Sequence, residues 1–265
     1  EVENFPGFSE GIDGAQLMAE MESQAVRFGA RTLSENVTRI DFSQRPFRVE
    51  SASGPFLAQT LVLATGSTPK RLGIPGEDEF FGGRGVSSCA TCDGAFFTGK
   101  TVAVVGGGDT AMEEASYLTH HAAKVYVCHR REELRASKIM QERVLKNPKI
   151  EVLWKTVVDE VLGTDFVESL RLRNVDDDSA RDLPVDGMFL AIGHIPNSGL
   201  FEGAIHLDEE GYVLTDEHQH TNIEGVFVAG DLADHRYRQA ITASGTGCKA
   251  GIEAERFLEA LGDAD

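Results

Sequence analysis

Cys89-Ala90-Thr91-Cys92-Asp93-Gly94, followed by Lys100-Thr101-Val102-Ala103-Val104-Val105-Gly106-Gly107-Gly108-Asp109-Thr110-Ala111-Met112-Glu113-Glu114-Ala115, is the stretch whose reading decides the fold. Val102 to Val105 is an apolar run of strand length. It feeds directly into glycines that fit a Gly-x-Gly-x-x-Ala turn at Gly106, Gly108 and Ala111. Such a fingerprint carries weight only where it joins a strand to a helix, and here it does. Gly106 permits the tight turn out of the strand. Gly108 has no Cβ, so backbone can approach a pyrophosphate, and the small Ala111 lets the next helix pack against the strand. The helix beginning near Thr110 then points its unpaired N–H groups and positive dipole end at the phosphates. A glycine-rich turn without a ligand is the simpler alternative.

Roughly twenty residues beyond such a turn, an NAD-binding chain carries an acid for the ribose 2′-hydroxyl. This chain instead has His129-Arg130-Arg131 at the end of the strand-like run Lys124 to Cys128. Arginines bind a 2′-phosphate through charge-assisted, often bidentate hydrogen bonds, which predicts NADP(H) over NAD(H). Arg135 lies four residues after Arg131 and shares its face if a helix starts there. The competing reading is a solvated charge cluster offset by Glu132 and Glu133.

The Cys89-x-x-Cys92 pair has three readings. As a redox pair, its environment lowers one thiol's pKa and makes it nucleophilic. Asp93, directly after Cys92, is then a nearby proton donor and acceptor. As half of a structural zinc site, the pair needs two further ligands at suitable spacing. Cys128 and Cys248 are solitary, and His120–His121 and His218–His220 have no matching cysteine pattern, so no metal is expected. An inert structural disulfide is the third reading, and it is rare in reducing compartments.

These motifs, with His129-Arg130-Arg131 running on to Arg135-Ala136-Ser137-Lys138, resemble the low-molecular-weight thioredoxin reductases of bacterial and archaeal type. Further matches are Ala191-Ile192-Gly193-His194-Ile195-Pro196-Asn197, Gly225 to Asp231, and Asp234 to Gly247. The resemblance covers essentially the whole chain. It implies an α/β fold of two Rossmann-like dinucleotide-binding domains of the FAD/NAD(P) pyridine nucleotide-disulfide reductase type. Residues 1–70 plus 193–265 would form the FAD domain, and residues 71–192 the NADPH domain carrying the redox cysteines.

The activity implied is NADPH-dependent reduction of a thioredoxin disulfide through FAD and the Cys89–Cys92 pair. By the same resemblance, Cys92 is the thiol nearer the flavin, Cys89 is the interchange thiol, and Asp93 is the acid–base group. NADPH is expected on Gly106, Gly107, Gly108, Asp109, Thr110, Ala111, His129, Arg130, Arg131, Arg135, Ile192 and Gly193. FAD is expected on Ala64, Thr65, Gly66, Gly230, Asp231, Arg238, Gln239 and Ala240. On residue chemistry alone Asp231 also reads as a turn or helix N-cap residue. A homodimer is implied too, and a nucleotide domain that rotates so that one dithiol can serve both flavin and a protein substrate.

One departure stands out. The resemblance calls for a second glycine fingerprint at the N-terminus, for FAD, and it has no counterpart before Glu1. The first domain is therefore expected to be incomplete and impaired. The sequence then reads as a fragment of a longer enzyme, or as a derived form that holds little flavin. Two rival functions follow. One is the flavoprotein subunit of an alkyl hydroperoxide reductase system, and the other is a non-catalytic NADP-binding remnant.

Composition bounds the partners. The 265 residues suffice for one large or two medium domains with a sizeable core. A formal charge of −18 argues against nucleic acid or an anionic membrane surface as the main partner. Lysine is scarce (8, against 17 Arg) beside 43 Asp and Glu, a balance that also suits high salt. No stretch approaches the roughly eighteen apolar residues of a membrane span. Glu1-Val2-Glu3-Asn4-Phe5 shows no secretory signal, and four cysteines make no disulfide framework, so a reducing cytoplasm is expected.

Elsewhere, Leu17, Met18, Met21, Ala25 and Phe28 recur at helical steps, predicting an amphipathic helix over 14–29. Strands are expected at 37–42, 47–51, 61–63, 150–153 and 185–192, with a hairpin pair at 157–162 and 167–173. A second nucleotide-domain helix is expected over 136–146, stopping before Asn147-Pro148. Asp176 to Asp178 reads as a solvated turn. Residues 67–76 and 193–199 read as linkers. A closing helix over 240–261 carries small residues at Ala243, Ser244, Gly245, Gly247 and Ala250, for close cofactor approach or for tight packing.

Overall fold

In the computed structural model, which describes residue 2 and residues 4–262, Asp13 opens the first helix. Its Oδ1 accepts the N–H groups of Ala15 (3.0 Å) and Gln16 (3.1 Å), donors that no helical carbonyl can reach. That helix, α1, spans Gly14–Arg27, but only Leu17 on its apolar stripe is buried, and Met18 and Phe28 stand exposed. Periodicity marks the face of a helix and not how much of that face is covered.

The strands β1 (Arg39–Asp41), β2 (Phe47–Ser51) and β3 (Gly54–Ala58) then form an antiparallel meander in that order. No strand is expected over 54–58 from the sequence, and β3 carries Pro55. An edge strand tolerates proline, since one row of its N–H groups has no ladder to join. Next come β4 (Leu61–Leu63) and β5 (Ser67–Pro69), the latter inside a stretch expected to be pure linker.

The chain divides into two compact units: one runs up to Thr68 and resumes at His194, and the other is Pro69–Gly193. The second unit opens with the short helix α2 (Glu77–Phe80) and strand β6 (Val86–Ser87). The one-turn helix α3 (Ala90–Asp93) follows, then β7 (Thr101–Val105), α4 (Asp109–Leu118), β8 (Lys124–His129), α5 (Lys138–Leu145) and β9 (Ile150–Trp154). An antiparallel excursion, β10 (Thr156–Gly163), β11 (Val167–Asn174) and β12 (Ala180–Pro184), precedes the returning strand β13 (Gly187–Leu190). The expected hairpin is thus three-stranded. β12 escapes notice because only Leu183 in it is buried, and its Asp182 answers Arg171 of β11 (3.0 Å) across the ladder.

The strands β6-β13-β7-β8-β9 form one parallel sheet. Its central strand shows why an unbroken apolar run was needed. Val102 and Val104 face a core shared with Ala111, Met112, Ala115 and Leu118 of α4 and Met140 and Val144 of α5. Ala103 and Val105 point the other way, into a core with Leu170, Leu172 and Leu183 of the antiparallel sheet. A strand buried on both faces has no polar side to alternate with. The α5 helix begins at Lys138, two residues after the expected start, and 130–137 is irregular.

The first unit resumes with β14 (His194–Pro196), which pairs with β5, and β15 (Val226–Val228), which runs parallel to β4. The closing helix α6 (Ala240–Gly262) lays Ala250 and Ala254 against Phe227 and Ala229. A second core gathers Phe47, Leu63, Phe201, Ile205, Val226 and Val228.

Candidate functional site

In the Pro69–Gly193 unit the turn between β7 and α4 is shaped by contact. A Cβ on Gly106 would lie 2.5 Å from the carbonyl oxygen of Ala191 and 2.7 Å from the Ala111 Cβ. Only glycine at 106 and a small residue at 111 let β7, α4 and the end of β13 meet. Because β13 lies beside β7, the Ala191-Ile192-Gly193 run is brought to this turn. Ala191 N–H donates to Val105 O (2.9 Å), and Gly193, at φ 99°, accepts from Lys70 N–H (2.9 Å). Ile192 is half-buried against the antiparallel-sheet core.

Gly108 differs from its neighbours. A Cβ there would meet nothing within 4 Å, and as N-cap of α4 it supplies no side-chain hydrogen bond to the first turn. Open space beside the uncapped first turn of α4, with Thr110 exposed next to it, forms a cradle whose shape and donors fit an anionic diphosphate.

The arginine-bearing segment is fastened to this turn. Gly107 O accepts backbone N–H groups from Arg135 (2.7 Å) and Ala136 (3.1 Å). Asp109 Oδ1 accepts Ser137 N–H (2.7 Å) and Ser137 Oγ–H (2.9 Å). His129 is 5% exposed, so it packs under the turn rather than over a ligand, with Nε2 2.9 Å from Glu133 O. Arg130, Arg131 and Arg135 are exposed, and among the described residues none has a carboxylate within 4.0 Å. Glu132, which the competing reading set against the arginines, pairs with Lys155, which also holds Asp176 at 2.5 Å. Those hydrogen bonds to Asp176 and Glu132 push the Lys155 ammonium pKa above its ordinary value. Arg131 and Arg135 do not share a helix face, since no helix forms there. Three unpaired guanidiniums beside the cradle fit a phosphomonoester on the nucleotide.

Cys89 and Cys92 are joined as a disulfide across α3, both half-buried. Cys89 is the N-cap residue, and its Sγ accepts Cys92 N–H (3.2 Å) with the Thr91 hydroxyl at 3.4 Å. The half-buried Asp93 follows, its N–H donating to Cys89 O (3.1 Å). Among the described residues, no three His, Cys, Asp or Glu side chains converge to hold a metal ion.

In the other unit, the ends of β4 and β15 and the start of α6 surround an open cavity of about 360 Å³. Its wall holds Ala64, Gly66, Gly230, Asp231, Arg238, Gln239 and Ala240, seven of the eight residues expected around FAD. Thr65 turns away, its hydroxyl donating to Asn197 O (2.8 Å) while Asn197 Nδ2 donates back to Thr65 O (2.8 Å). Ala243 and Gly247 also line the cavity, and a Cβ at 247 would touch nothing within 4 Å. Both explanations for small residues in α6 hold at different positions: Ala243 and Gly247 line the cavity, while Ala250 packs against Phe227 and Ala229. Burial pushes the Asp231 carboxyl above its ordinary range, with Asp234 adding to the shift and Arg238 opposing it. The wall thus offers an acceptor, a guanidinium and small side chains, a set that fits a flavin nucleotide.

Asp234 opens one of the matched motifs but is not among the residues expected in the site. Its Oδ1 accepts N–H from Arg236 (2.9 Å) and Tyr237 (2.7 Å), and its Oδ2 accepts from Arg238 N–H (3.1 Å) and Thr242 Oγ–H (3.3 Å). Burial raises its pKa, but these donors outweigh it and hold the carboxyl below the usual range. Thr246 Oγ accepts Gly230 N–H (2.9 Å), fixing the turn at the cavity mouth. An aspartate followed two to four residues on by its own donors is a local turn signal, legible in principle from sequence.

Residues 3–247 match the family model for pyridine nucleotide-disulphide oxidoreductases. A thioredoxin reductase from Streptomyces coelicolor is 51% identical over 267 residues, covering 100% of this chain and 83% of the relative. A solved thioredoxin reductase from Giardia duodenalis superposes with a TM-score of 0.89 at 44% identity, covering 97% of this chain and 85% of that one. One from Streptococcus pyogenes gives 0.90 at 39% identity, with 98% and 84% covered. Among the described residues no helix is long and apolar enough to cross a membrane.

Proposed function

The chain belongs to the pyridine nucleotide-disulphide oxidoreductase family, and from that premise we propose that it is a thioredoxin reductase drawing electrons from NADPH and using FAD. The observation that carries this reading is the Cys89–Cys92 disulfide, built into the same unit as the open Gly108 cradle and three unpaired arginines.

Gly106, Gly108 and the start of α4 hold the diphosphate of NADPH, and Arg130, Arg131 and Arg135 hold its 2′-phosphate. Ile192 and Gly193 lie alongside, while His129 and Gly107 shape the turn from beneath. Ala64, Gly66, Gly230, Asp231, Arg238, Gln239 and Ala240 wall the cavity for FAD. FAD, when bound, relays the two electrons of NADPH to the disulfide.

Two electrons and two protons convert Cys89–Cys92 to two thiols, one proton passing through Asp93. Cys89 gives its proton to Asp93, and the resulting thiolate attacks one sulfur of the partner's disulfide and expels the other as a thiolate, which takes up that proton. Cys92 attacks Cys89 Sγ, restoring the internal disulfide and releasing the partner as a dithiol. Cys92 N–H aimed at Cys89 Sγ favours the thiolate on Cys89, which suits it to interchange. The working form is a homodimer, as the resemblance to reductases of the low-molecular-weight type suggests, and the sparse cysteines suit a reducing cytoplasm.

The test is NADPH oxidation by the FAD-supplemented chain with oxidised thioredoxin, alongside Cys89→Ser and Cys92→Ser. Turnover abolished by either substitution is expected, and turnover at the original rate in either would defeat the reading. Reduction of a peroxiredoxin disulfide in preference to thioredoxin would move the assignment to a peroxide-reducing system.

A further inference from the structure

We propose that Asp109 is a positioning residue that sets the preference for 2′-phosphorylated nucleotides, by latching the arginine segment 130–137 to the first turn of α4 through Ser137. This inference rests on Arg130, Arg131 and Arg135 being the 2′-phosphate site. The segment has no regular structure, so nothing in a helix or sheet ladder fixes the direction of its arginines. A long side chain gains binding energy from a phosphate only to the extent that its backbone is held beforehand.

Lys155 N–H, His129 Nε2 and Gln141 Nε2 meet backbone carbonyls of the segment, and two sets of ties fasten it to the β7–α4 turn itself. Gly107 O accepts from Arg135 N–H and Ala136 N–H, bonds that other side chains at 135 and 136 would leave in place. The second tie depends on side chains: Asp109 Oδ1 accepts both Ser137 N–H (2.7 Å) and Ser137 Oγ–H (2.9 Å).

Asp109 is otherwise out of place. It is exposed, it is the first residue of α4, and it puts a carboxylate where an anionic diphosphate is to sit. Direct ligation of phosphate by that group is repulsive. Both of its hydrogen bonds go to Ser137, and it forms no ion pair with the three arginines among the described residues. The carboxylate is satisfied by a serine and the helix dipole, and the guanidiniums stay available for the ligand.

The latch acts on the arginine segment and not on the diphosphate cradle. Releasing it therefore weakens the 2′-phosphate contribution selectively, whereas a merely structural role would weaken every nucleotide alike. The experiment is calorimetric titration of the full chain with 2′,5′-ADP and with 5′-AMP, for the natural sequence, Asp109→Ala, Asp109→Asn and Ser137→Ala. The natural chain is expected to prefer 2′,5′-ADP. Asp109→Ala is expected to lower 2′,5′-ADP affinity about tenfold, as for a lost hydrogen bond to a charged group, and to leave 5′-AMP within about twofold. Ser137→Ala removes one of the two bonds at an exposed position and follows in the same direction by about threefold, so it carries the test if Asp109→Ala does not fold. Asp109→Asn keeps an acceptor oxygen and retains most of the preference. Equal losses for both ligands, or an unchanged ratio in Ser137→Ala, would overturn the latch. No preference in the natural chain would remove the arginine site itself, and the latch with it.

Discussion

The imidazole of His129 occupies the space that a side chain at Gly107 would need: a Cβ there would lie 2.2 Å from Cε1 and 2.3 Å from Nδ1. His129 is itself wedged, 5% exposed, with Nε2 on Glu133 O (2.9 Å). Gly107→Ala therefore has to displace a buried ring or bend the turn, at a cost of about 2 kcal/mol, typical of overpacking. The displaced ring also loosens the Glu133 end of the arginine segment. The denaturant midpoint of unfolding and the NADPH affinity are both expected to fall in this variant. Unchanged stability would show that the turn yields without strain.

Asp231 and Asp234 share one turn and titrate with opposite consequences. Burial raises the Asp231 pKa, so its contribution to stability is complete below the ordinary carboxylate range and is lost as pH rises through the raised value. Hydrogen bonds from Tyr237, Arg236, Arg238 and Thr242 outweigh burial at Asp234 and lower its pKa, so its contribution is present above the ordinary range and is lost as pH falls through the lowered value. In urea unfolding from about pH 3.5 to about pH 7, Asp231→Asn is expected to gain on the natural chain as pH rises. Asp234→Ala is expected to lose about 2 kcal/mol near neutrality and less in acid. The same pH trend in both variants would contradict the assignment.

The thiols give a count that can be read directly. Cys89 and Cys92 are oxidised to each other, Cys248 is exposed, and Cys128, on β8, is buried in the core between the parallel and antiparallel sheets. Burial pushes the Cys128 thiol up to about 12, with Arg181 opposing weakly. At pH 8 its thiolate fraction is then about 10⁻⁴, and the sheet blocks access as well. A chromogenic disulfide reagent is expected to titrate one thiol in the native oxidised chain, three after reduction of the Cys89–Cys92 bond, and four after unfolding. A second rapid thiol in the oxidised chain would show that the sheet opens at Cys128.

Much of this was legible in the sequence wherever a residue type has one physical use. Val102 to Val105 reads as a strand, Gly106 as the turn out of it and Ala111 as the small residue that lets α4 pack on β7, whereas cover on both faces of β7 and the approach of Ala191 emerge only in the fold. The cysteine pair and the arginines were visible for the same reason. What could not be read were features that depend on a distant partner. His129 appears beside arginines as a ligand candidate, but its place under Gly107 exists only once β8 lies next to β7. Asn197 reads as a linker residue until it meets Thr65, 132 positions earlier. The β12 strand is charged because its stability lies in pairing with β11, which leaves no periodic apolar signal.

The asymmetry between the two redox sulfurs gives the sharpest prediction. Cys89 Sγ accepts Cys92 N–H at 3.2 Å and has the Thr91 hydroxyl at 3.4 Å. Both donors survive replacement of the Cys92 side chain, because one belongs to the backbone and the other to a neighbour. Cys89 in Cys92→Ser thus keeps what stabilises its thiolate, and has lost the group that would resolve a mixed disulfide. With a single-cysteine thioredoxin carried as its 5-thio-2-nitrobenzoate disulfide, Cys92→Ser is expected to expel the coloured thiolate. It should then accumulate a covalent complex that survives until a thiol is added. Cys89→Ser is expected to react at least about tenfold more slowly, since no donor is seen at sulfur 92 among the described residues. Both variants carry Cys248→Ser, so that the exposed thiol does not contribute. Equal rates, or a faster Cys89→Ser, would reverse the roles of the two cysteines and place the interchange thiol at 92.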